Sequence, residues 1–501
     1  MNKNEILEKY KYYHERFRHY NYVLSVFQYD SETVAPKGCR GEHDEAFSYV
    51  ANDIFKMTKS EDYITLVKEA YEKRKQFDKY YQRLFELMYR DVIENEKITP
   101  ELQYEMMMAC TNGFTKWLEA KEKKDYSIFE PALNKIVELH KKFIELKAPG
   151  KEHPYDVLLD EYEKGNDEKV LDEFFNKLKA RIVPLLAQIK NSNKEIRTDF
   201  LTRKVPISKQ EKITKYCLEY NKFNLDNGAI GVVEHPFTTF LSEHDVRVTT
   251  HYYENMFLSN IFSIIHEGGH GIFGQNEPKY FYEIGLDGHQ TSAQHETISR
   301  FYENILCRNK AYVSNLYKKL QKVCKKELKD VSLDEFYEGV NLVEPSLIRT
   351  EADELTYSLH ILIRYEIEKG LIDGTLSTKG LDKVWNQKYE EYLGVTPSND
   401  KEGILQDVHW SDGMFGYFPS YALGNAYGAQ ILATMNKDFD VNEALSKGKM
   451  NTILSWLKKN VFAYGSFMDP NDWIKKITGE ELNVDYYLDY LENKYKNIYN
   501  L

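Results

Sequence analysis

The stretch Met256-Phe257-Leu258-Ser259-Asn260-Ile261-Phe262-Ser263-Ile264-Ile265-His266-Glu267-Gly268-Gly269-His270 decides how this chain is read. Residues i and i+4 of a helix project from one face about one turn apart, so two imidazoles at 266 and 270 can hold one metal ion. Glu267 follows the first histidine, and from there its carboxylate reaches a metal-held water without entering the coordination shell. Zinc in such a set lowers the pKa of that water toward ~7, and the glutamate takes the proton as a carbonyl is attacked. The largely apolar run 256–265 predicts a buried helix at the bottom of a cleft. Two glycines inside the motif weaken a helix by roughly 1 kcal/mol each relative to Ala. A helix that tolerates them is expected to need a close backbone approach there.

A catalytic zinc site takes three protein ligands and leaves one position open. The metzincin pattern would place Gly three residues and His six residues after His270. Phe273 and Asn276 stand there, which excludes that class. A carboxylate from a following helix is therefore expected. Glu296, opening an apolar helical stretch over 297–306, is the first candidate; Glu283, Asp287, His289 and His295 compete with it on spacing. Farther on, Gly403-Ile404-Leu405-Gln406-Asp407-Val408-His409-Trp410 and Gly416-Tyr417-Phe418-Pro419-Ser420-Tyr421 gather polar and aromatic groups between glycines. A Tyr hydroxyl or His N–H from such segments can face a developing oxyanion. A buried turn with satisfied aromatics is the plainer alternative.

Around these motifs the chain reads as amphipathic helix, with apolar residues at three- and four-residue spacing over 5–28, 61–93, 101–124, 129–146, 168–192 and 208–224. Prolines 36, 100, 131, 154 and 206 fall at expected breaks, whereas Pro184 lies inside a helical pattern. Residues 228–253 differ. They are rich in β-branched and aromatic residues, and Asp245-Val246-Arg247-Val248-Thr249 alternates, which predicts a small sheet or hairpin beside the metal motif. Its edge could pair with an extended peptide by strand addition. The absence of repeats and linkers points to one large, mainly α domain.

The net charge of -12 argues against nucleic-acid and anionic-membrane partners, which require clustered cations. Five scattered cysteines without CxxC spacing suit a reducing compartment. The charged, helical N-terminus lacks a signal-peptide core, and no run of about 18 apolar residues is present. A cytoplasmic location is expected.

Several motifs occur together and in order: Asp30-x-x-Thr33-x-x-Pro36; His235-Pro236-Phe237; Asp245-x-Arg247-x-Thr249; the metal motif at 266–270; His295-Glu296 with Ser299-Arg300; Ile348-Arg349-x-x-Ala352-Asp353; and Gly403-x-x-Gln406-Asp407-x-His409-Trp410. In this the chain resembles the carboxypeptidase Taq family of metallocarboxypeptidases. The resemblance implies a nearly all-helical fold with a deep substrate groove, similar to neurolysin and angiotensin-converting enzyme. It divides the chain into a helical groove wall over 1–225, a small β element over 226–255 and catalytic helices over 256–501. It implies a homodimer acting on peptide substrates by removing single C-terminal residues. One divalent ion per chain, zinc with cobalt or manganese as alternatives, is assigned to His266, His270 and Glu296, and catalysis to Glu267.

Holding a substrate's α-carboxylate calls for a bidentate Arg; the resemblance points first to Arg349, then to Arg247. His409 and Tyr421 become oxyanion or backbone contacts, with Tyr417 unranked against Tyr421, and His235 and Gln406 become substrate contacts. Thr297 stands where the family more often has serine, and Gly271 where alanine is common. The rival readings are an oligopeptidase or dipeptidyl carboxypeptidase of the same architecture, and a non-enzymatic peptide-binding protein with a structural metal.

Overall fold

Helix ends in this protein follow side-chain chemistry. Asn2 caps the first helix with Glu5 completing a capping box, Ser60 and Thr99 cap later ones, and Pro100 occupies a first helical position where no amide donor is needed. The computed structural model describes residues 1–501, with the side chains of all but Lys37 and Asn95. Its first half contains α1 (Lys3–Thr33), α2 (Arg40–Thr58), α3 (Glu61–Glu72), α4 (Lys79–Glu96), α5 (Pro100–Lys123), α6 (Glu130–Lys147), α7 (Tyr155–Tyr162), α8 (Glu168–Lys190) and α9 (Ile207–Asn221). The expected helices therefore form, with one difference. The 61–93 pattern is split after Glu72, where the Asp78 side chain accepts from the amides of Tyr80 and Tyr81 and starts α4. Pro184 leaves α8 continuous to Lys190.

The β element consists of β1 (Gly228–Val232), β2 (Thr238–Ser242) and β3 (Asp245–Thr250), in the order β1-β3-β2. β2 and β3 form an antiparallel hairpin, and β1 joins β3 in parallel. Val246 and Val248 of β3 point inward and are buried, as the alternation predicts.

Then come α10 (Phe257–Gly274), α11 (Lys279–Ile284), α12 (Ser292–Arg300), α13 (Lys310–Val323), α14 (Leu333–Val340), α15 (Tyr357–Asp373), α16 (Leu381–Leu393), α17 (Pro419–Asp438), α18 (Val441–Ser446), α19 (Met450–Asn460), α20 (Pro470–Thr478) and α21 (Asp485–Tyr499). The main apolar core runs between α8, α10, α12, α15 and α17. Buried Asn260 of α10 accepts from Thr214 of α9 and Thr250 of β3, which fixes α10 against both. A second apolar cluster joins Ile6 and Tyr10 of α1, Leu66 of α3 and Phe85 of α4 to Phe281 and Ile284 of α11. Among the described residues, no helix is long and apolar enough to cross a membrane.

Candidate metal centre

The glycines of the HEGGH motif have partners that explain them. A Cβ on Gly269 would lie 2.7 Å from the Cα of Ser299, and one on Gly268 would lie 2.9 Å from Leu218 Cδ2. α10 thus packs backbone to backbone on α12, the close approach expected from sequence. α12 begins earlier than the apolar pattern suggested, at Ser292, because Thr291 and Gln294 form a capping box.

That packing brings His266, His270 and Glu296 together, with donor atoms all within 4.8 Å of one another. His266 Nε2 lies 3.8 Å from one Glu296 oxygen and His270 Nε2 lies 3.7 Å from the other. A tetrahedral ion ~2.1 Å from each donor would space donors about 3.4 Å apart, so this set fits a divalent cation. No competing acid or imidazole joins it: among the described residues, this is the one group with metal-ligand geometry.

Both imidazoles are oriented from behind. His266 Nδ1 lies 2.8 Å from Glu303 Oε2, and His270 Nδ1 lies 2.6 Å from His295 Nδ1. Such contacts fix the tautomer and ring angle of a ligating histidine. Glu303 reaches His266 because α12 runs on into a π-helical turn over Phe301–Leu306, a local widening that recurs at functional sites. Burial would raise the Glu303 carboxyl, but Arg300 and His266 hold it at about 2. Burial lowers His266, yet Glu303 outweighs it and the net shift is upward; burial and the neighbouring His295 and His266 push His270 well down. Glu303 was not singled out in the sequence. A lone acid in the apolar stretch 298–306 was the available signal.

Glu267 sits at the same place, buried, and its Oε2 accepts from Thr238 Oγ1 at 2.6 Å. Burial raises its pKa, while His266 and Thr238 oppose that shift. β2 therefore borders the centre, and Thr238 is a second residue that the sequence reading did not single out.

These groups line a cleft of about 1120 Å³, along with Arg349, Tyr417 and Tyr421. Arg349 is buried and donates through Nε and Nη2 to Asp407 Oδ1 and through Nη1 to Tyr357. Gln406 accepts from the Arg349 amide at 2.8 Å and donates to Leu347 O, so it braces that arginine. His409 stands behind the lining, its ring 4.5 Å from Phe418 and 6.4 Å from Tyr421, with burial holding it at about 4. His235 is exposed beside Pro236 and Phe237, which line the cleft. Arg247 pairs with Asp245 and stacks over Tyr29, outside the lining. Arg300 and Arg308 do face the cleft.

A family model for the carboxypeptidase Taq (M32) metallopeptidases matches residues 9–495. The chain belongs to this family. It is 43% identical over 487 residues to carboxypeptidase 1 of Bacillus subtilis, covering 97% of each chain. It is 36% identical over 422 residues to thermostable carboxypeptidase 1 of Thermus thermophilus, covering 82% of each. Among solved structures, the M32 carboxypeptidase from Deinococcus radiodurans R1 is similar with a TM-score of 0.95 at 27% identity, covering 99% of this chain and 100% of that one. A crystal structure of BsuCP is similar with a TM-score of 0.90 at 41% identity, covering 98% and 99%. Membership in the M32 family makes the protein a metallocarboxypeptidase, a peptide hydrolase.

Proposed function

We propose that this enzyme is a zinc-dependent carboxypeptidase that releases single amino acids from peptide C-termini, with Glu267 as the general base. The observation that carries the reading is the convergence of His266, His270 and Glu296 with Glu267 at one place in the cleft. When bound, the ion supplies Lewis acidity and a water of near-neutral pKa; cobalt and manganese suit the same donors. Thr238 holds one Glu267 oxygen, which leaves the other to take a proton and pass it to the departing amine. Burial keeps the phenols of Tyr417 and Tyr421 protonated, the first up to about 12, so either donates to the carbonyl oxygen. The β2 edge offers backbone groups to an extended substrate.

Arg349 is assigned to the substrate's α-carboxylate. Asp407 and Tyr357 fix its plane and occupy three of its five N–H groups, leaving two for a carboxylate. Gln406 serves the substrate through Arg349, and His409 through the Tyr417 and Tyr421 rings. His235 at the rim and Arg247 beside Tyr29 are assigned to more distant parts of the peptide. In the same reading residues 1–501 form one catalytic unit, like that of neurolysin, working as a cytoplasmic homodimer.

Mass spectrometry of an unblocked peptide and its C-terminal amide, each digested with and without a chelator, tests this. A chelator-sensitive ladder losing one residue at a time from the free peptide, with the amide spared, is expected. Dipeptide release, internal cuts or equal turnover of the amide would refute it.

A further inference from the structure

Glu163 follows the last turn of α7 and is almost wholly buried, 2% exposed, where three elements meet. One oxygen accepts from the amide of Ala293 in the first turn of α12 and from Ser420 Oγ in the first turn of α17, the latter at 3.3 Å. The other accepts from Oγ1 of Thr291, the N-cap of α12, at 2.9 Å. Isolated burial of a carboxyl costs several kcal/mol unless such partners compensate it. Burial pushes this one up to about 8, against the three donors.

The two helices it ties carry the site. Glu296 lies one turn beyond Ala293 on α12, and Tyr421 follows Ser420 on α17. The helices pass so closely that a Cβ on Gly424 would lie 2.9 Å from the Cβ of Glu296. Tyr162, the neighbour of Glu163, meets Tyr417 edge-on at 5.2 Å. The end of α7 therefore touches both the ligand-bearing helix and the tyrosine-bearing helix, while reaching neither the metal donors nor the cleft.

We propose that Glu163 is a positioning residue that sets Glu296 and Tyr421 in register by clamping the first turns of α12 and α17 together. A displaced carboxylate ligand weakens the metal site, and a displaced phenol weakens transition-state binding; neither requires the peptide itself to bind less well. This rests on the proposed reading of Glu296 as a ligand.

The test uses the full-length protein with Glu163→Ala, Glu163→Gln and Ser420→Ala. Zinc affinity is measured by competition with a chromophoric chelator, alongside kcat and KM on an unblocked peptide. Groups that support metal ligands typically change affinity or activity by about 10–100-fold. Glu163→Ala should fall in that range for zinc affinity and for kcat, with KM within about threefold. Glu163→Gln, which keeps the volume and an acceptor, should remain within about threefold of the wild type throughout. Ser420→Ala cuts only the α17 tie and covers the case in which Glu163→Ala does not fold: kcat should fall at least about threefold with zinc affinity kept. Wild-type zinc affinity and kcat in folded Glu163→Ala would overturn the proposal, as would wild-type kcat in Ser420→Ala. A wild-type protein that binds zinc yet cuts no peptide would refute the functional reading instead, and the zinc affinities would still decide the role of Glu163.

Discussion

The Nδ1 atoms of His270 and His295 lie 2.6 Å apart, so one of the two rings must donate and the other accept. With His270 Nε2 turned toward Glu296, its proton belongs on Nδ1, and His295 accepts with its own proton on Nε2. Burial holds His295 at about 4, so it is a neutral acceptor near neutral pH. Glu303 plays the matching part for His266. His295→Ala and Glu303→Ala should each weaken zinc binding by about 10–100-fold, read by chelator competition. Unchanged affinity in both would show that the imidazoles keep their orientation unaided.

Gly424 is open to a steric test. An added methyl would meet the Cβ of Glu296 at 2.9 Å and its carbonyl carbon at 3.0 Å, with no flexible side-chain end to yield. Gly424→Ala should push α12 away from α17, lower zinc affinity at least about tenfold and cost roughly 1–3 kcal/mol of stability, as overpacking does. Calorimetry with and without zinc separates the two effects. A fully stable variant with native zinc affinity would mean that the helices can slide apart freely.

Asp407 pairs with two buried cations. One oxygen accepts from Arg349 at 2.9 Å and the other from Arg364 at 2.7 Å. Removing one partner of a buried ionic group typically costs about 3–5 kcal/mol, because the remaining charge is left uncompensated. Asp407→Ala should lose stability on that scale in urea unfolding and raise KM for peptides as Arg349 loosens. A loss below about 1 kcal/mol would mean that the arginines find other acceptors.

Glu368 gives a pH signature. Its carboxyl accepts from Tyr155, Trp410 Nε1 and the Gly416 amide, and burial raises it to about 7. A raised folded-state value means that the protonated form stabilises the fold. The contribution is complete below the ordinary value of ~4.3 and is lost as pH rises through about 7. Each pH unit in that window is worth about 1.4 kcal/mol. Between pH 5 and 8 the wild type should therefore lose about 3 kcal/mol relative to Glu368→Gln, whose amide cannot ionise. Parallel stability curves for the two proteins would contradict this.

Much of the fold was legible from spacing. The three- and four-residue periodicity of 101–124, 129–146 and 208–224 marks helices now seen within a few residues of those bounds. The break between α3 and α4 was missed because the signal is one Asp side chain that caps in place of a proline. α2 was not singled out; none of its residues is fully buried, so its sequence carries little apolar contrast. The π-helical turn after α12 was also missed, since an inserted residue leaves the apolar pattern nearly intact.

What the sequence determined alone was local. Two imidazoles four residues apart on an apolar helix, with an acid between them, follow from helical geometry and nothing else. Which carboxylate completes the set is a question about distant segments, and spacing left Glu296 among rivals. Tertiary packing brings Glu296 to them: glycines on α10 and α17 let both helices approach α12 closely, and that approach sets Glu296 opposite the imidazoles. Glu303, His295, Thr238 and Glu163 belong to the same class. Each acts through a contact between elements, and the free energy of such contacts depends on the three-dimensional path of the chain.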